Sequence, residues 1–314
     1  MTDAGDRPVL QDLLGLRPTE DSHRWQQVVG PTVTTPSGAL QGGAALAAAM
    51  EAAQSTTERP LKWATAQFVS HVQSGSVVDI DVTVVVDGPH LSQVRATACC
   101  AGSEILTMLA ALGERPFAHA GVWPAPPEVP PPEQCPERLV PGPVTHSMLE
   151  TFDRRSAMGR SYTEVDGRPG PGRSASWLRL PGGMRTVSAG DLAVLGDFLM
   201  LEFADAVGVA CTGASLDNTV RVANLGPTEW VLLDASIHAV TGGLGYGQAH
   251  LWSQRGGLLG TTSQTLVIRA LSPEGALPER RGRRVVGNRS PGGAGRHNER
   301  GSEAGSLPPK EREE

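Results

Sequence analysis

Aromatic residues are scarce in this 314-residue chain, at 4%, and of its 27 basic residues only Lys62 and Lys310 are lysines. With so few rings, apolar burial must rest on leucine, valine and alanine, although hydrophobic (39%) and charged (19%) fractions are ordinary for a globular protein. The arginine bias reads as the codon usage of a GC-rich genome. Positive charge is also in deficit: a formal net charge of −6 argues against a nucleic-acid-binding body, while leaving room for a local basic pocket. Cys99, Cys100, Cys135 and Cys211 form no CxxC pair and have no companion histidines at zinc-finger spacing, so they read as buried free thiols. His71, His90, His146, His238 and His250 are scattered without an HExxH spacing, and neither a metal nor a cofactor is expected. A GxSxG elbow is missing, which disfavours an α/β-hydrolase, and the glycines of GGLGYGQ open a strand without GxGxxG spacing, which disfavours a dinucleotide site. The start, MTDAGDRPVL, lacks the basic stretch and apolar core of a signal peptide, and no apolar run is long enough to span a bilayer. A soluble, cytoplasmic setting without membrane insertion is the expectation.

What is present is a duplicated pattern. The length favours two domains, and a proline-crowded stretch from Pro116 to Pro143 can form neither helix interior nor central strand. It divides an N-terminal domain (1–112) from a C-terminal one (145–270), with 113–144 as linker. Residues 271–314 combine glycine with scattered arginine and glutamate and little apolar surface, the composition of a disordered tail.

Before the linker, GALQGGAALAAAMEAA predicts a helix whose small side chains let a sheet approach closely. Strands are predicted over 62–70, 77–86, 91–100 and 104–112; in the second, Ile80, Val82, Val84 and Val86 alternate with Asp79, Asp81, Thr83 and Val85. After the linker a strand at 174–180, a helix over 188–207 and strands at 214–222, 229–240, 243–253 and 258–268 repeat that order. The interval from Gly102 to Gly256, at corresponding turns, nearly equals that from Lys62 to Ala214. This implies a duplicated α+β unit, in which an antiparallel sheet wraps around one central helix, the hot-dog arrangement. A doubly wound sheet would need helices between most strands. The two sheets are expected to join into one continuous surface.

The second helix, SAGDLAVLGDFLMLEFADAVG, is apolar nearly all round and therefore buried. Asp197 falls in its middle, where an ionised carboxylate without partners costs several kcal/mol. Ser215 opens the first strand after the helix, and Gln264 lies in the last, sharing a face with the apolar residues at 266 and 268. First and last strands can both reach the helix, so carboxylate, hydroxyl and amide could hold one water, the carboxylate taking its proton.

These segments resemble the acyl-CoA thioesterase II family of double hot-dog enzymes. LGDFLM is similar to the family's segment carrying the catalytic aspartate, ASLDNTVRV to its strand with a small hydroxyl before a hydrophobic-Asp pair, and GGLLGTTSQTLVIR to its closing strand with the catalytic glutamine. In the first half, LQGGAALAAAMEAA and LKWATAQFVSHVQSGSVVDIDVTVV are similar to its Gly-Gly helix and following strands. The family more often has threonine at the Ser215 position, and its histidine-containing segments are replaced here by Asn218, Thr219 and Arg221. The resemblance implies a tandem double hot-dog and acyl-CoA hydrolysis to free acid and CoA, within fatty acid metabolism, without an acyl-enzyme. Asp197 would be the general base, and Ser215 and Gln264 would orient the water. Gly42 and Gly43 would offer backbone N–H groups to the oxyanion or bind substrate, in competition with a plain helix-to-sheet packing role. The first helix has no comparable acid, Glu51 lying near its end, so one site per chain is expected. Acyl-CoA is the implied partner, and such units often associate through their sheets, which leaves room for a homo-oligomer. The competing classes are a non-catalytic acyl-CoA-binding protein and a hot-dog hydratase or dehydratase, the latter disfavoured because no histidine lies near Asp197.

Overall fold

The structure, a computed structural model, describes residues 9–140 and 146–271. The expected tail, apart from Leu271, lies outside the described residues. After a short helix α1 (Val9–Leu14) come β1 (Leu16–Pro18), β2 (Arg24–Val28), α2 (Gly42–Thr57), β3 (Leu61–Phe68), β4 (Val77–Asp87), β5 (Leu91–Cys100) and β6 (Ser103–Gly113). The second half has α3 (Met148–Thr151), β7 (Arg154–Met158), β8 (Arg173–Arg179), β9 (Arg185–Thr186), α4 (Ala189–Gly196), α5 (Phe203–Val207), β10 (Cys211–Val222), β11 (Pro227–Thr228), β12 (Trp230–Thr241), β13 (Leu244–Ser253) and β14 (Leu258–Ala270). Twelve strands form one antiparallel sheet in the order β1-β2-β4-β5-β6-β3-β10-β14-β13-β12-β8-β7; β9 and β11 pair separately.

Read outward from the β3–β10 joint, the two halves have the same order. The joint shows why. Thr65 pairs with Thr219, Ala66 with Asn218 and Ala64 with Val220, so the register turns about Thr65 and Thr219, whose hydroxyls lie 2.7 Å apart across an interval of 154 positions. Register slips repeat at the same interval: β3 slips against β6 between Leu61 and Trp63, and β10 against β14 between Ser215 and Asp217. The duplication therefore extends to irregularities of the strands.

Helix α2 starts where Gln41 Oε1 accepts the Ala44 N–H at 3.2 Å and stops at Glu58, which takes a left-handed conformation (φ 54°). Between these caps every residue from Gly43 to Ala53 is buried against β2 to β6 and α4. Alanine suits such a site twice, as the best helix former and as the side chain that lets sheet and helix approach.

Two expectations need correction. The helix over 188–207 is not continuous: α4 ends at Gly196, residues Asp197–Glu202 form a 3-10 turn, and α5 resumes at Phe203. Asp197 is thus the C-cap of α4 and not the middle of a regular helix. Strands β1, β2 and β7 have no apolar alternation in sequence and are not predicted from it; β2 buries the polar Gln27 and pairs with β4 through polar contacts such as Arg24–Asp81 (2.7 Å) and Gln26–Asp79 (2.9 Å).

The described part of the proline-rich segment contains a 3-10 turn, Pro132–Gln134, and an isolated antiparallel bridge from Glu137 to Arg155, so its end is bonded into the second half. Pro130 O accepts Trp177 Nε1 at 2.9 Å, Cys135 packs with Trp177, Trp230 and Trp252, and Pro136 O and the Arg138 N–H bond to the backbone of β7. No described helix is long and apolar enough to cross a membrane.

Candidate active site

Three donors converge on one carboxylate. Gln264 Nε2 donates to Asp197 Oδ1 at 2.8 Å, Ser215 Oγ reaches the same oxygen at 3.4 Å, and the Gly43 N–H donates to Oδ2 at 2.9 Å. The three residues singled out from sequence are therefore neighbours, brought from the end of α4, from β10 and from β14. Gln264 is fully buried, whereas Asp197 and Ser215 keep partial access to solvent. Burial raises the Asp197 pKa from the usual carboxylate range; the donors from Gly43, Gln264 and Ser215, in that order of strength, oppose the rise without cancelling it.

Close approach sets this geometry. A Cβ on Gly43 would lie 2.5 Å from Ala193 O and 2.7 Å from Asp197 Cβ, so only glycine lets α2 start directly on α4. A Cβ on Gly196 would lie 2.9 Å from Thr262, which fixes the end of α4 on β14. The packing role of Gly43 is thus helix on helix, not helix on sheet. Its N–H is used by Asp197, which leaves Gly42 as the one residue among the first four of α2 whose N–H has no protein acceptor among the described residues.

The β10 bulge supplies the other half. In a regular strand, residues 215 and 218 would face opposite sides of the sheet. The slip at Leu216 puts Ser215 opposite Leu266 and Asn218 opposite Gln264, so both share the inner face with Gln264. Asp217 secures the bulge by accepting the Thr265 N–H at 2.8 Å. The sequence marks the hydrophobic-Asp pair that contains Asp217 but not this role.

The first half carries no copy of the site. At the interval of 154 positions that separates Gly43 from Asp197, Leu61 corresponds to Ser215 and Ala110 to Gln264. A second carboxylate at position 43 would occupy the space of the first.

Comparison with known proteins decides the family. The model of the acyl-CoA thioesterase N-terminal domain matches residues 31–113 and that of the C-terminal domain residues 132–268. The chain belongs to the acyl-CoA thioesterase family. A solved structure from Novosphingobium aromaticivorans, described as a putative thioesterase, is 34% identical, with a TM-score of 0.72 over 81% of this chain and 98% of that one. A hot-dog protein of unknown function from Alicyclobacillus acidocaldarius (20% identity, TM-score 0.73, 85% and 100% coverage) shares the fold. So does an acyl-CoA thioesterase II from Mycobacterium marinum (18% identity, TM-score 0.63, 84% and 99% coverage). No curated protein matches. Family membership supports thioester hydrolysis in general, with acyl-CoA as the substrate class.

Proposed function

We propose that this acyl-CoA thioesterase is a tandem double hot-dog enzyme, with units at 1–112 and 145–270, that hydrolyses its substrate by general-base catalysis at one site per chain. The observation that carries the reading is the convergence of Gln264, Ser215 and Gly43 on the half-buried Asp197 carboxylate. Asp197 takes a proton from water, the water oxygen attacks the thioester carbonyl, and collapse of the tetrahedral intermediate gives the free acid and the CoA thiolate, which takes the proton back from Asp197 and leaves as the thiol. Ser215 and Gln264 hold water and carboxylate in line, while the Gly42 N–H, at the start of α2, is the donor available to the developing oxyanion. The segment 113–144 ties the units together. A cytoplasmic enzyme of fatty acid metabolism, associating with further copies through its sheets, fits the same reading.

A hydrolysis screen over short, medium and long acyl-CoAs, following released thiol, tests the proposal. Turnover with at least one chain length is expected; tight acyl-CoA binding with no thiol released over the uncatalysed rate would replace the enzyme by a binding protein.

The pH dependence follows from burial. Because Asp197 must be ionised to accept the proton and its pKa is raised, kcat/KM should fall on the acid side with a midpoint above that of a free aspartate, which is about 3.9. A rate that stays flat down to that value would remove Asp197 as the base.

A further inference from the structure

Two buried polar atoms beside the site lack partners, and they are complementary. Gln264 Oε1 has no donor and Asn218 Nδ2 no acceptor, although both residues are fully buried, at 0% exposure. They stand directly opposite one another in the β10–β14 pairing, on the face that the Leu216 bulge turns inward. Burying an unpaired amide group costs free energy, so two such groups of opposite character at one pairing position point to an interaction across the pair, closed by one water or by a small rotation of the amides.

The hydrogen-bond directions fit only one arrangement. Thr262 Oγ donates to Asn218 Oδ1 at 3.0 Å, which leaves the Asn218 amino group to face Gln264. Gln264 Nε2 donates to Asp197 Oδ1, which leaves its Oε1 to face Asn218. Each donor then points toward the carboxylate, in the order Thr262, Asn218, Gln264, Asp197. Thr262 also packs on Gly196, the residue before Asp197, so the chain of contacts closes on itself.

The duplicated half provides an internal comparison. At the same interval of 154 positions, Met108 corresponds to Thr262, Ala64 to Asn218, Ala110 to Gln264 and Gly43 to Asp197. Ala64 and Ala110 pair with each other as Asn218 and Gln264 do. Every member of the polar set is apolar or glycine in the half without the carboxylate, although the strand pairing, bulge included, is the same.

Resting on the reading of Asp197 as general base, we infer that Asn218 and Thr262 are positioning residues, which lock the Gln264 amide with its amino group on Asp197. Without them the Gln264 side chain can turn its carbonyl toward the carboxylate, which repels the ionised form and releases the water from its line of attack.

The test uses the full-length enzyme and the acyl-CoA it cleaves fastest. Asn218→Leu and Thr262→Val should lower kcat, by about tenfold and about threefold, with KM held within about twofold, and Asn218→Leu should move the acid limb of the rate profile to higher pH. Asn218→Asp, which offers only acceptors to Gln264, should lose as much as Asn218→Leu. In a Gln264→Leu background, Asn218→Leu should cost nothing further in kcat, because the group it orients is gone. Folded Asn218→Leu and Thr262→Val enzymes with kcat within twofold of the parent and an unmoved acid limb would overturn the inference, as would losses that multiply in the Gln264→Leu background. Should Asn218→Leu fail to fold, Thr262→Val, which keeps shape and volume, carries the same comparison. Undiminished turnover in Gln264→Leu alone would instead overturn the proposed mechanism on which the inference rests.

Discussion

Asp197→Asn is expected to lower turnover about a hundredfold or more while acyl-CoA binding persists. The variant keeps the shape of the side chain and removes its basic oxygen. Its geometry adds a second effect. Three donors face the carboxylate, so the new amino group must meet either the Gly43 N–H or the donors of Gln264 and Ser215, and no orientation accepts all of them. Stability opposes this loss. Since burial raises the folded-state pKa of Asp197, its contribution to stability is fully present below the unfolded value of about 3.9 and is lost as pH rises through the raised folded value. At neutral pH the ionised carboxylate is therefore a cost that asparagine removes. The two terms offset, and thermal melts at neutral pH should place the variant within a few degrees of the parent. A structural Asp197 gives the reverse pattern, a lowered melting temperature with activity per folded molecule intact. Full turnover in the folded variant would end the mechanism.

The signals that sequence carries explain why these residues could be found and others could not. Asp197 stands out because an acid in an apolar helix violates the burial pattern, and Gln264 because its strand neighbours at 266 and 268 are apolar. Both signals are local. Asn218 could not be placed in the same way: the bulge at Leu216 shifts the phase of β10, so alternation counted from Ser215 puts Asn218 on the wrong face. The break in the second helix is also set from outside, by the crossing of α2 at Gly43 and by Thr262 against Gly196, and Gly196 is the mark that it leaves in the helix's own composition. Strand β2 owes its place to pairing with β4, not to an apolar period. The duplication was visible because turn glycines and strand lengths recur, and its exactness at the β3–β10 joint is a property of register, which only the fold displays.

The proline-rich segment hides the feature with the largest expected effect on stability. Its composition reads as a spacer, yet it carries Arg138, which pairs with Glu202 at 2.8 Å, each side chain only 1% exposed. Ser176 Oγ donates to the other Glu202 oxygen at 2.9 Å, and Arg138 Nη1 donates to Ser156 at 3.2 Å. Nearby lies Arg154, also buried, with Nε and Nη1 unpartnered; burial lowers its pKa, the charge of Glu137 opposes the fall, and that of Arg138 adds to it. Glu202 is thus the buried anion paired with Arg138, while the carboxylates that act on Arg154 are Glu137 and Asp153. Glu202→Ala leaves the buried Arg138 guanidinium without it, and removing one partner of a buried pair costs about 3–5 kcal/mol. For a body of this size the expected fall in melting temperature is on the order of 10 °C. Replacing both partners, Arg138→Met with Glu202→Leu, removes the uncompensated charge and should restore most of the loss, since a buried pair contributes little over well-packed apolar side chains. Thermal unfolding of the two single variants and the double variant decides the matter. Single variants that melt with the parent would mean that solvent reaches Arg138 and that the segment is the spacer its composition suggests; a double variant as unstable as the singles would mean that packing, not charge, holds it in place.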